Sequence, residues 1–385
     1  MGNTDALLEE LTALRRQLHR EPELSGQEAG TAGCIRNFLV DCGADEIHDS
    51  LGGHGLAAVF RAPSRKPGPA VMLRAELDAL PLDEKFDSPW SSQVPGCAHK
   101  CGHDGHMAIL AGVARRLQKH PPASGSVVLL FQPAEETGNG AAALLSDDRF
   151  QALKPDWIFA LHNLPGHPAW SILTREGAFA AGSVGVRIKL SGKTSHAAYP
   201  EQGNSPDLAM AKLVTGLVNL TQDNDDGLAL VTVVHARLGE QTFGISPGDA
   251  EVLATIRSDR DEVLKQLKDS AAELGNAVAL GSDLGCEIEY CEEFPVTTND
   301  PEAVAVIRQV AGELDLDLES PEESPFRWSE DFGLLVRWAG RGAMFGLGAG
   351  AEHPVLHGPD YDFNDDLILP GVTFMERIGR MILAG

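Results

Sequence analysis

Five short segments of the sequence gather side chains that can bind a metal ion or carry a proton. Their candidate residues are Glu76 and Asp78; His99, Cys101, His103, Asp104 and His106; Glu135 and Glu136; His162; and His353 and His357. A mixture of imidazole, thiolate and carboxylate ligands suits zinc or a similar transition metal better than calcium or magnesium. The supply of ligands exceeds one tetrahedral site, so it leaves room for two ions, an arrangement that hydrolytic sites use.

The adjacent carboxylates of Glu135 and Glu136 suggest a division of labour. One of them can bind an ion while its neighbour stays unbound as a general base for a water molecule. A simpler interpretation is also open, because paired acids after a strand are common at the solvated start of a helix. Likewise, His162 in the segment HNLPG can be a hydrogen-bonded turn residue, His106 an ordinary residue of a helix face, and His353 no more than pocket lining.

Predicted strands place four of the five segments at one edge of a sheet. Strands are predicted at 55–62, 70–77, 126–133 and 156–162, and a helix at 106–118 lies between the second and the third. This alternation predicts an α/β fold with a mostly parallel mixed sheet and helices on both faces. In such folds the site lies at the carboxyl ends of the strands, so residues far apart in the sequence are expected to converge there.

The middle of the chain has a different order of elements. The predicted elements are a strand at 184–192, a helix at 205–220, strands at 228–239 and 249–258, a helix at 261–278 and a strand at 286–296. This βαββαβ order is typical of an α+β ferredoxin-like unit. We therefore predict an inserted domain at 183–293 and a discontinuous catalytic domain formed by 1–182 and 294–385.

Composition excludes several classes of partner. The 385 residues include 31 basic and 56 acidic side chains, for a net charge of -25. That balance argues against nucleic acid and against anionic membrane surfaces, both of which attract basic proteins. No stretch approaches the roughly 18 consecutive apolar residues of a membrane span. The N-terminus lacks the apolar core of a signal peptide, and the six cysteines are expected to be reduced thiols, so we predict a cytoplasmic protein.

Taken together, the motifs resemble those of a known enzyme family. The segments that carry the resemblance are HREPELSGQE (19–28), CGHDGH (101–106), FQPAEE (131–136) and PDYDFND (359–365). They are similar to those of the cysteine-type amidohydrolase branch of the aminoacylase/carboxypeptidase family of two-metal peptidases. That branch includes hippurate hydrolases, N-acyl amino acid amidohydrolases and auxin-conjugate hydrolases. The resemblance runs nearly from end to end and includes the inserted domain, which in this family is a lid.

The resemblance implies a role for each matching residue. Cys101 is the thiolate that bridges two metals, His103 and His162 bind one metal, Glu136 and His357 bind the other, Glu135 is the general base, Asp78 orients a ligand, and His196 is the lid histidine that reaches the active site, often from the partner subunit of a dimer. The implied cofactors are two divalent metal ions, which Zn, Mn, Co or Ni could supply.

Three positions depart from the pattern of close relatives. Glu76 stands where an aspartate is usual, and Pro200–Glu201 replaces a proline-histidine pair after His196. The segment GISP (244–247) replaces an asparagine-containing turn associated with gripping the carboxylate end of the substrate. Arg257 is a candidate for that contact, because a guanidinium can pair with a carboxylate through two hydrogen bonds. A solvated strand position is the alternative for Arg257.

The resemblance implies hydrolysis of the amide bond of N-acyl amino acids or similar small conjugates. Metal-bound water attacks the carbonyl carbon, Glu135 is the general base, and His196 stabilises the oxyanion. The partners implied are a small-molecule amide substrate and a second copy of the chain, joined as a homodimer through the lid domain. Two alternatives stay open: a dipeptidase or aminopeptidase on the same scaffold, and a homologue that binds metal or ligand without catalysis.

Overall fold

The computed structural model describes residues 2–221, 227–319 and 325–384. The chain separates into two compact units: a first unit of Met1–Phe179, Thr297–Glu322 and Asp331–Gly385, and a second unit of Ala180–Val296 and Glu323–Glu330. The chain passes from the first unit to the second at 179/180 and returns at 296/297, each three residues from the predicted boundaries at 182/183 and 293/294. The second unit also takes in a segment that the sequence assigned to the catalytic domain, because Ala181 donates its N–H to the carbonyl oxygens of Phe326 and Trp328.

Strands and helices alternate along most of the chain. The strands are β1 (Glu46–Leu51), β2 (Gly55–Arg61), β3 (Ala70–Glu76), β4 (Ser126–Gln132), β5 (Trp157–Pro165), β6 (Ile172–Leu173), β7 (Gly177–Ala180), β8 (Gly182–Ser191), β9 (Ser195–His196), β10 (Ala229–Leu238), β11 (Ile245–Ser246), β12 (Asp249–Ser258), β13 (Gly285–Phe294), β14 (Thr297–Asn299), β15 (Leu318–Glu319) and β16 (Gly342–Gly350). The helices are α1 (Gly2–Arg20), α2 (Ala29–Asp41), α3 (His103–Lys119), α4 (Gly140–Leu145), α5 (Asp148–Gln151), α6 (Asp207–Asn219), α7 (Asp261–Leu280), α8 (Pro301–Glu313), α9 (Phe332–Ala339) and α10 (Ile368–Ala384).

An eight-stranded sheet forms the centre of the first unit, in the order β1-β2-β4-β3-β5-β16-β6-β15. Strands β4, β3, β5 and β16 run parallel to one another, while β1 and β2 add an antiparallel edge. Every residue of β4 is buried, which explains why its sequence is almost continuously apolar. The predicted α/β class with a mostly parallel mixed sheet is confirmed.

Helices cover both faces of this sheet. Val71 and Leu73 of β3 belong to the hydrophobic core into which α3 and α10 pack. Arg74 points to the other face, where its guanidinium carbon lies 5.6 Å from the ring centroid of Phe332 at the start of α9. Because side chains alternate along a strand, one strand thus serves two helix layers.

Helix α3 is buried along most of its length, and glycines allow its close approach to α10. A Cβ at Gly112 would lie 2.4 Å from a methyl carbon of Val372, and a Cβ at Gly371 of α10 would lie 2.6 Å from Ile109. Each glycine therefore leaves room for a side chain of the other helix to pack against the helix backbone. As a result, His103 in the first turn of α3 sits in the protein interior, next to the carboxyl ends of the strands.

The second unit has an antiparallel four-stranded sheet in the order β10-β12-β8-β13, on which α6 and α7 pack. The burial of β12 alternates residue by residue, as expected for a sheet with one covered face. The chain order β8-α6-β10-β12-α7-β13 is the ferredoxin-like order predicted from the sequence. None of the helices formed by the described residues combines the length and apolar character of a membrane-spanning helix.

Candidate functional site

Three parallel strands deliver acidic and imidazole side chains to one edge of the first unit's sheet. Strand β3 ends at Glu76, directly opposite Gln132 at the end of β4, and Asp78 and Glu135 follow within three residues. Strand β5 carries His162 near its own carboxyl end. This common edge is where an α/β sheet places its functional residues.

Cys101 lies between two imidazoles that come from distant parts of the chain. Its Sγ atom is 3.4 Å from Nε2 of His162 and 3.4 Å from Nε2 of His357. Nδ1 of His162 donates to the carbonyl oxygen of Asn163 at 2.9 Å, so Nε2 is the unprotonated nitrogen of the neutral ring. Burial, with the nearby His106 adding to it, lowers the pKa of His162 to about 3 and keeps that ring neutral. A neutral imidazole with its lone pair toward a thiolate is a suitable metal ligand.

The ring of His103, like that of His162, is held through Nδ1. Its Nδ1 donates to the carbonyl oxygen of Asp78 at 2.8 Å. Its Nε2 is buried and has no hydrogen-bond partner among the residues that the structure describes. That atom lies 3.8 Å from a carboxylate oxygen of Glu135 and 3.8 Å from one of Glu136. A buried nitrogen without a partner is costly, and it fits a site that holds a cation between it and the carboxylates.

The electrostatic potential around His103 is negative. Burial lowers the pKa of His103, but the charges of Glu76, Glu136 and Asp78 outweigh burial and raise the pKa above its usual value. The same potential that stabilises a proton on His103 also attracts a metal cation to this position.

Asp78 holds the turn that carries the two glutamates. Its Oδ2 accepts from the hydroxyl of Ser25 at 2.7 Å and from the backbone N–H of Glu136 at 3.0 Å. The sequence predicted that Asp78 orients a ligand, and this contact with the backbone of Glu136 is one way in which it can do so. Ser25 carried no sequence signal for this role.

Two residues of the site have a left-handed backbone conformation that non-glycine residues rarely adopt. Ala134, just before Glu135, has φ 51°, and His357 has φ 61°. Such conformations cost roughly 1–3 kcal/mol each and persist only where surrounding contacts hold them. The N–H of Ala134 is bound by Glu28 at 2.8 Å, and the N–H of His357 by the carbonyl oxygen of Lys100 at 2.8 Å. Backbone strain thus occurs at His357 and directly before Glu135, both of which are candidate functional residues.

His196 and Arg257 belong to the second unit, whereas the other predicted site residues belong to the first. His196 lies on the short ribbon of β9 and β11, and its Nδ1 accepts the N–H of Ala198 at 3.0 Å. The neutral ring therefore carries its proton on Nε2. Arg257, on β12, donates to the carbonyl oxygen of Arg327 at 3.0 Å and to the hydroxyl of Ser329 at 2.9 Å. Within the described ranges no carboxylate lies within 4.0 Å of its guanidinium.

Some site residues escaped the sequence reasoning. His106, interpreted as a helix-face residue, is fully buried and its Nδ1 contacts Oε2 of Glu76 at 2.7 Å. Its spacing of one helical turn from His103 was the signal that could have placed it beside the site. His353 instead contacts the backbone oxygen of Asp362 at 2.8 Å, consistent with a supporting position.

Among the groups of donor atoms that lie close enough together to hold a metal ion, two share the thiolate of Cys101. Cys101, His103 and His162 form one group, and Cys101, Glu136 and His357 form the other, with the ligand atoms of each group within 4.8 Å of one another. Sulfur, nitrogen and oxygen donors together suit zinc-like transition metals. The groups could therefore hold a pair of ions with Cys101 between them, while Glu135 lies beside them.

Comparison with known proteins points to the same chemistry. The sequence matches the peptidase family M20/M25/M40 over residues 72–380. It is 29% identical to an N-acetyl-L-cysteine deacetylase of Bacillus subtilis, covering 99% of this chain and 90% of that protein. It is also 29% identical to a hippurate hydrolase of Campylobacter jejuni, covering 97% of each chain. A crystal structure of a Bacillus subtilis protein described as a dinuclear metal binding peptidase from the M20 family superposes with a TM-score of 0.81 at 26% identity, covering 99% of both chains.

The match covers most of the chain, and the relatives include named deacetylases and hydrolases. The resemblance to the amidohydrolase branch is thereby confirmed, and so is the expectation of a metal-dependent amidohydrolase. The chain belongs to the peptidase family M20/M25/M40.

Proposed function

We propose that this protein hydrolyses the amide bond of N-acyl amino acids or similar small conjugates at a centre of two divalent metal ions. The observation that carries the proposal is the pair of donor groups sharing Cys101, with the buried carboxylate of Glu135 next to both. The names of the relatives, a deacetylase of an N-acetyl amino acid and a hippurate hydrolase, support this class of substrate.

The proposed ligands divide between the two ions as the donor groups do. Cys101 would bind both ions, His103 and His162 would complete the ligands of one ion, and Glu136 and His357 would complete those of the other. When bound, the ions supply Lewis acidity and lower the pKa of water enough for attack at neutral pH. Zn, Mn, Co and Ni all accept this donor set, and availability decides among them.

Glu135 carries the proton in the proposed reaction. Its carboxylate takes a proton from the attacking water and later gives it to the leaving amine nitrogen, so that one residue serves as base and then as acid. Glu135 lies directly before the proposed ligand Glu136 in the sequence, and its carboxylate lies 3.8 Å from Nε2 of His103. It is thus close to the proposed centre, although it is not one of the proposed ligands.

The second unit supplies the proposed substrate contacts. The Nε2–H of His196 donates a hydrogen bond to the carbonyl oxygen, which stabilises the negative charge that develops there. Arg257 binds the carboxylate of the substrate, supported by the lack of a carboxylate within 4.0 Å of it in the described part of the chain. We also propose a homodimer through the second unit, with His196 acting in its own or in the partner subunit.

The proposed compartment is the cytoplasm. All six cysteines, each within the described residues, are free thiols, which supports a reducing environment.

Metal analysis followed by a substrate panel tests the proposal. Purified protein is expected to contain about two divalent ions per chain and to release amino acids from N-acetyl and N-benzoyl amino acids, with loss of activity in a chelator. Faster hydrolysis of free-amine dipeptides would favour a dipeptidase or aminopeptidase. Bound metal without hydrolysis of any compound in the panel would contradict the proposed reaction.

A further inference from the structure

Next to the candidate metal centre, a chain of buried polar side chains joins four separate parts of the first unit. Oε2 of Glu76 contacts Nδ1 of His106 at 2.7 Å, and Nε2 of His106 contacts Oδ1 of Asn163 at 2.7 Å. Nδ2 of Asn163 donates to the hydroxyl of Tyr361 at 2.6 Å. All four side chains are at most 2% exposed, so water does not compete for these contacts.

Each member of this chain stands next to a proposed metal ligand. Asn163 follows His162 directly and accepts the Nδ1–H of that residue through its backbone oxygen at 2.9 Å. Tyr361 lies four residues after His357, in the loop between β16 and α10. The contact between Asn163 and Tyr361 therefore connects the strand that carries one imidazole ligand with the loop that carries another.

Gly102 places the backbone between Cys101 and His103 against the side chains of Asn163 and Tyr361. It has φ 96°, a conformation that favours glycine, and it joins the two ligands directly. A Cβ at this position would lie 2.3 Å from Oδ1 of Asn163 and 2.7 Å from the hydroxyl oxygen of Tyr361. The backbone between Cys101 and His103 is thus packed against the Asn163–Tyr361 hydrogen bond itself.

We propose that Asn163 and Tyr361 are positioning residues for the metal centre. Their hydrogen bond fixes the backbone segments of Cys101, His162 and His357 relative to one another, so that the ions bind with little rearrangement. The inference rests on the proposed function, because it presupposes the metal centre. Residues that orient metal ligands without touching the metal typically change metal affinity about 10- to 100-fold when they are replaced.

Removing a single hydroxyl tests the proposal. Tyr361→Phe keeps the buried ring and removes only the oxygen that Asn163 contacts. Tyr290→Phe is a matched control, because it removes a hydroxyl bound to the carbonyl oxygen of Lys268 at 3.2 Å in the second unit. Metal-free protein of each variant is titrated with Co²⁺ against a chromogenic chelator, and the cobalt–thiolate absorption band is recorded.

Tyr361→Phe is expected to weaken Co²⁺ binding by about 10- to 100-fold and to shift the thiolate band, whereas Tyr290→Phe leaves both at the wild-type values. Asn163→Ala removes the other partner and is expected to weaken Co²⁺ binding similarly. The double variant should lose little more than Asn163→Ala alone, because the loss of Asn163 already removes the contact with Tyr361.

Wild-type Co²⁺ affinity and an unchanged band in Tyr361→Phe would overturn the proposal, even if its melting temperature fell, since that pattern describes ordinary core packing. The proposal would also be overturned if the losses of Co²⁺ affinity in Tyr361→Phe and Asn163→Ala added fully in the double variant. Failure of the wild-type protein to bind Co²⁺ would instead contradict the proposed function.

Discussion

At the scale of single residues, the site separates binding from proton transfer in two neighbours. Glu135 and Glu136 follow the left-handed Ala134, and both reach within 3.8 Å of Nε2 of His103. Of the two, only Glu136 also has a carboxylate oxygen within 4.8 Å of the ligand atoms of Cys101 and His357. The two carboxylates therefore occupy the same cleft with different neighbours, and their replacement should have different consequences.

Glu135→Gln is expected to lower kcat by about 10²- to 10⁴-fold, because an amide of the same size cannot accept the proton of the attacking water. The metal content should stay at the wild-type value, since Glu135 is not a proposed ligand. Steady-state kinetics on an N-acyl amino acid and elemental analysis of the same preparation provide the two measurements. The matched variant Glu136→Gln should lose metal as well as activity. Near-normal turnover in Glu135→Gln would remove Glu135 from the mechanism.

At the scale of elements, a buried ion network ties α1 to α3 and to the loop before α10. Arg15 of α1 is 1% exposed and lies 3.3 Å from Asp104, 2.7 Å from Asp362 and 2.8 Å from Asp365. Asp104 immediately follows His103 in the first turn of α3. The network thus supports the helix end that carries a proposed ligand, although α1 itself carries none.

Arg15→Met is expected to destabilise the protein by about 3–5 kcal/mol, because it removes a buried positive charge that pairs with Asp104, Asp362 and Asp365. Arg16→Met is the control, because Arg16 also pairs with Asp365 but its own side chain is 36% exposed. Loss of this exposed ion pair should lower the free energy of unfolding by less than about 1 kcal/mol. Urea denaturation of both variants measures the difference. Equal effects of the two substitutions would show that the buried network contributes no more than a surface ion pair.

His19 makes the docking of α1 depend on pH. Its two ring nitrogens each lie 2.8 Å from a carboxylate oxygen, of Asp104 and of Glu84, so both must donate and the ring is an imidazolium. Burial lowers the pKa of His19, but these carboxylates outweigh burial and raise the pKa from 6.5 to about 9. A raised pKa in the folded state stabilises the protein fully below the pKa of the unfolded state.

The free energy of unfolding should therefore fall by about 3 kcal/mol as the pH rises from about 6 to about 9.5. His19→Gln is expected to lose this part of the pH dependence, because glutamine does not titrate. Urea denaturation of both proteins at several pH values in this range provides the measurement. A wild-type stability that rises with pH across this range would contradict the assignment of a charged His19.

The elements of the fold were more predictable from the sequence than the contacts within the site. Buried parallel strands have apolar runs, and their carboxyl ends share one edge, so the convergence of Asp78, Glu135 and His162 followed from local patterns. The partnership of His106 with Glu76 did not, because it depends on how α3 packs against β3. No local pattern distinguishes Asn163 or Tyr361 from any other buried polar residue.

At the scale of the whole molecule, the sequence alone predicts neither the full extent of the second unit nor the charge of the site. The segment Glu323–Glu330 joins the second unit through backbone contacts of Phe326 and Trp328, which no periodicity predicts. The net charge of -25 describes the surface, whereas the candidate site gathers only a few of the 56 acidic residues. Among those few, Glu135 and Glu136 each lie 3.8 Å from Nε2 of His103, so the charge that occupies this cleft bears on the stability of the whole chain.

Removal of metal should destabilise the whole protein for this reason. Ions that bind only the folded state stabilise it by about 2.7 kcal/mol when their free concentration is a hundred times the Kd. Chelation also removes the positive charge of the ions from beside the carboxylates of Asp78, Glu135 and Glu136. Calorimetry is expected to show a lower melting temperature in chelator and recovery when a divalent metal is restored.

Two variants separate this effect from a general effect of the chelator. Glu135→Gln should keep the metal-dependent rise in melting temperature, because it retains the proposed ligands. Cys101→Ser should lose most of the rise, because the shared thiolate contributes to both donor groups and serine is a far weaker ligand for zinc-like metals. An equal melting temperature of the wild-type protein with and without metal would mean that the donor groups around Cys101 do not bind metal selectively in the folded state.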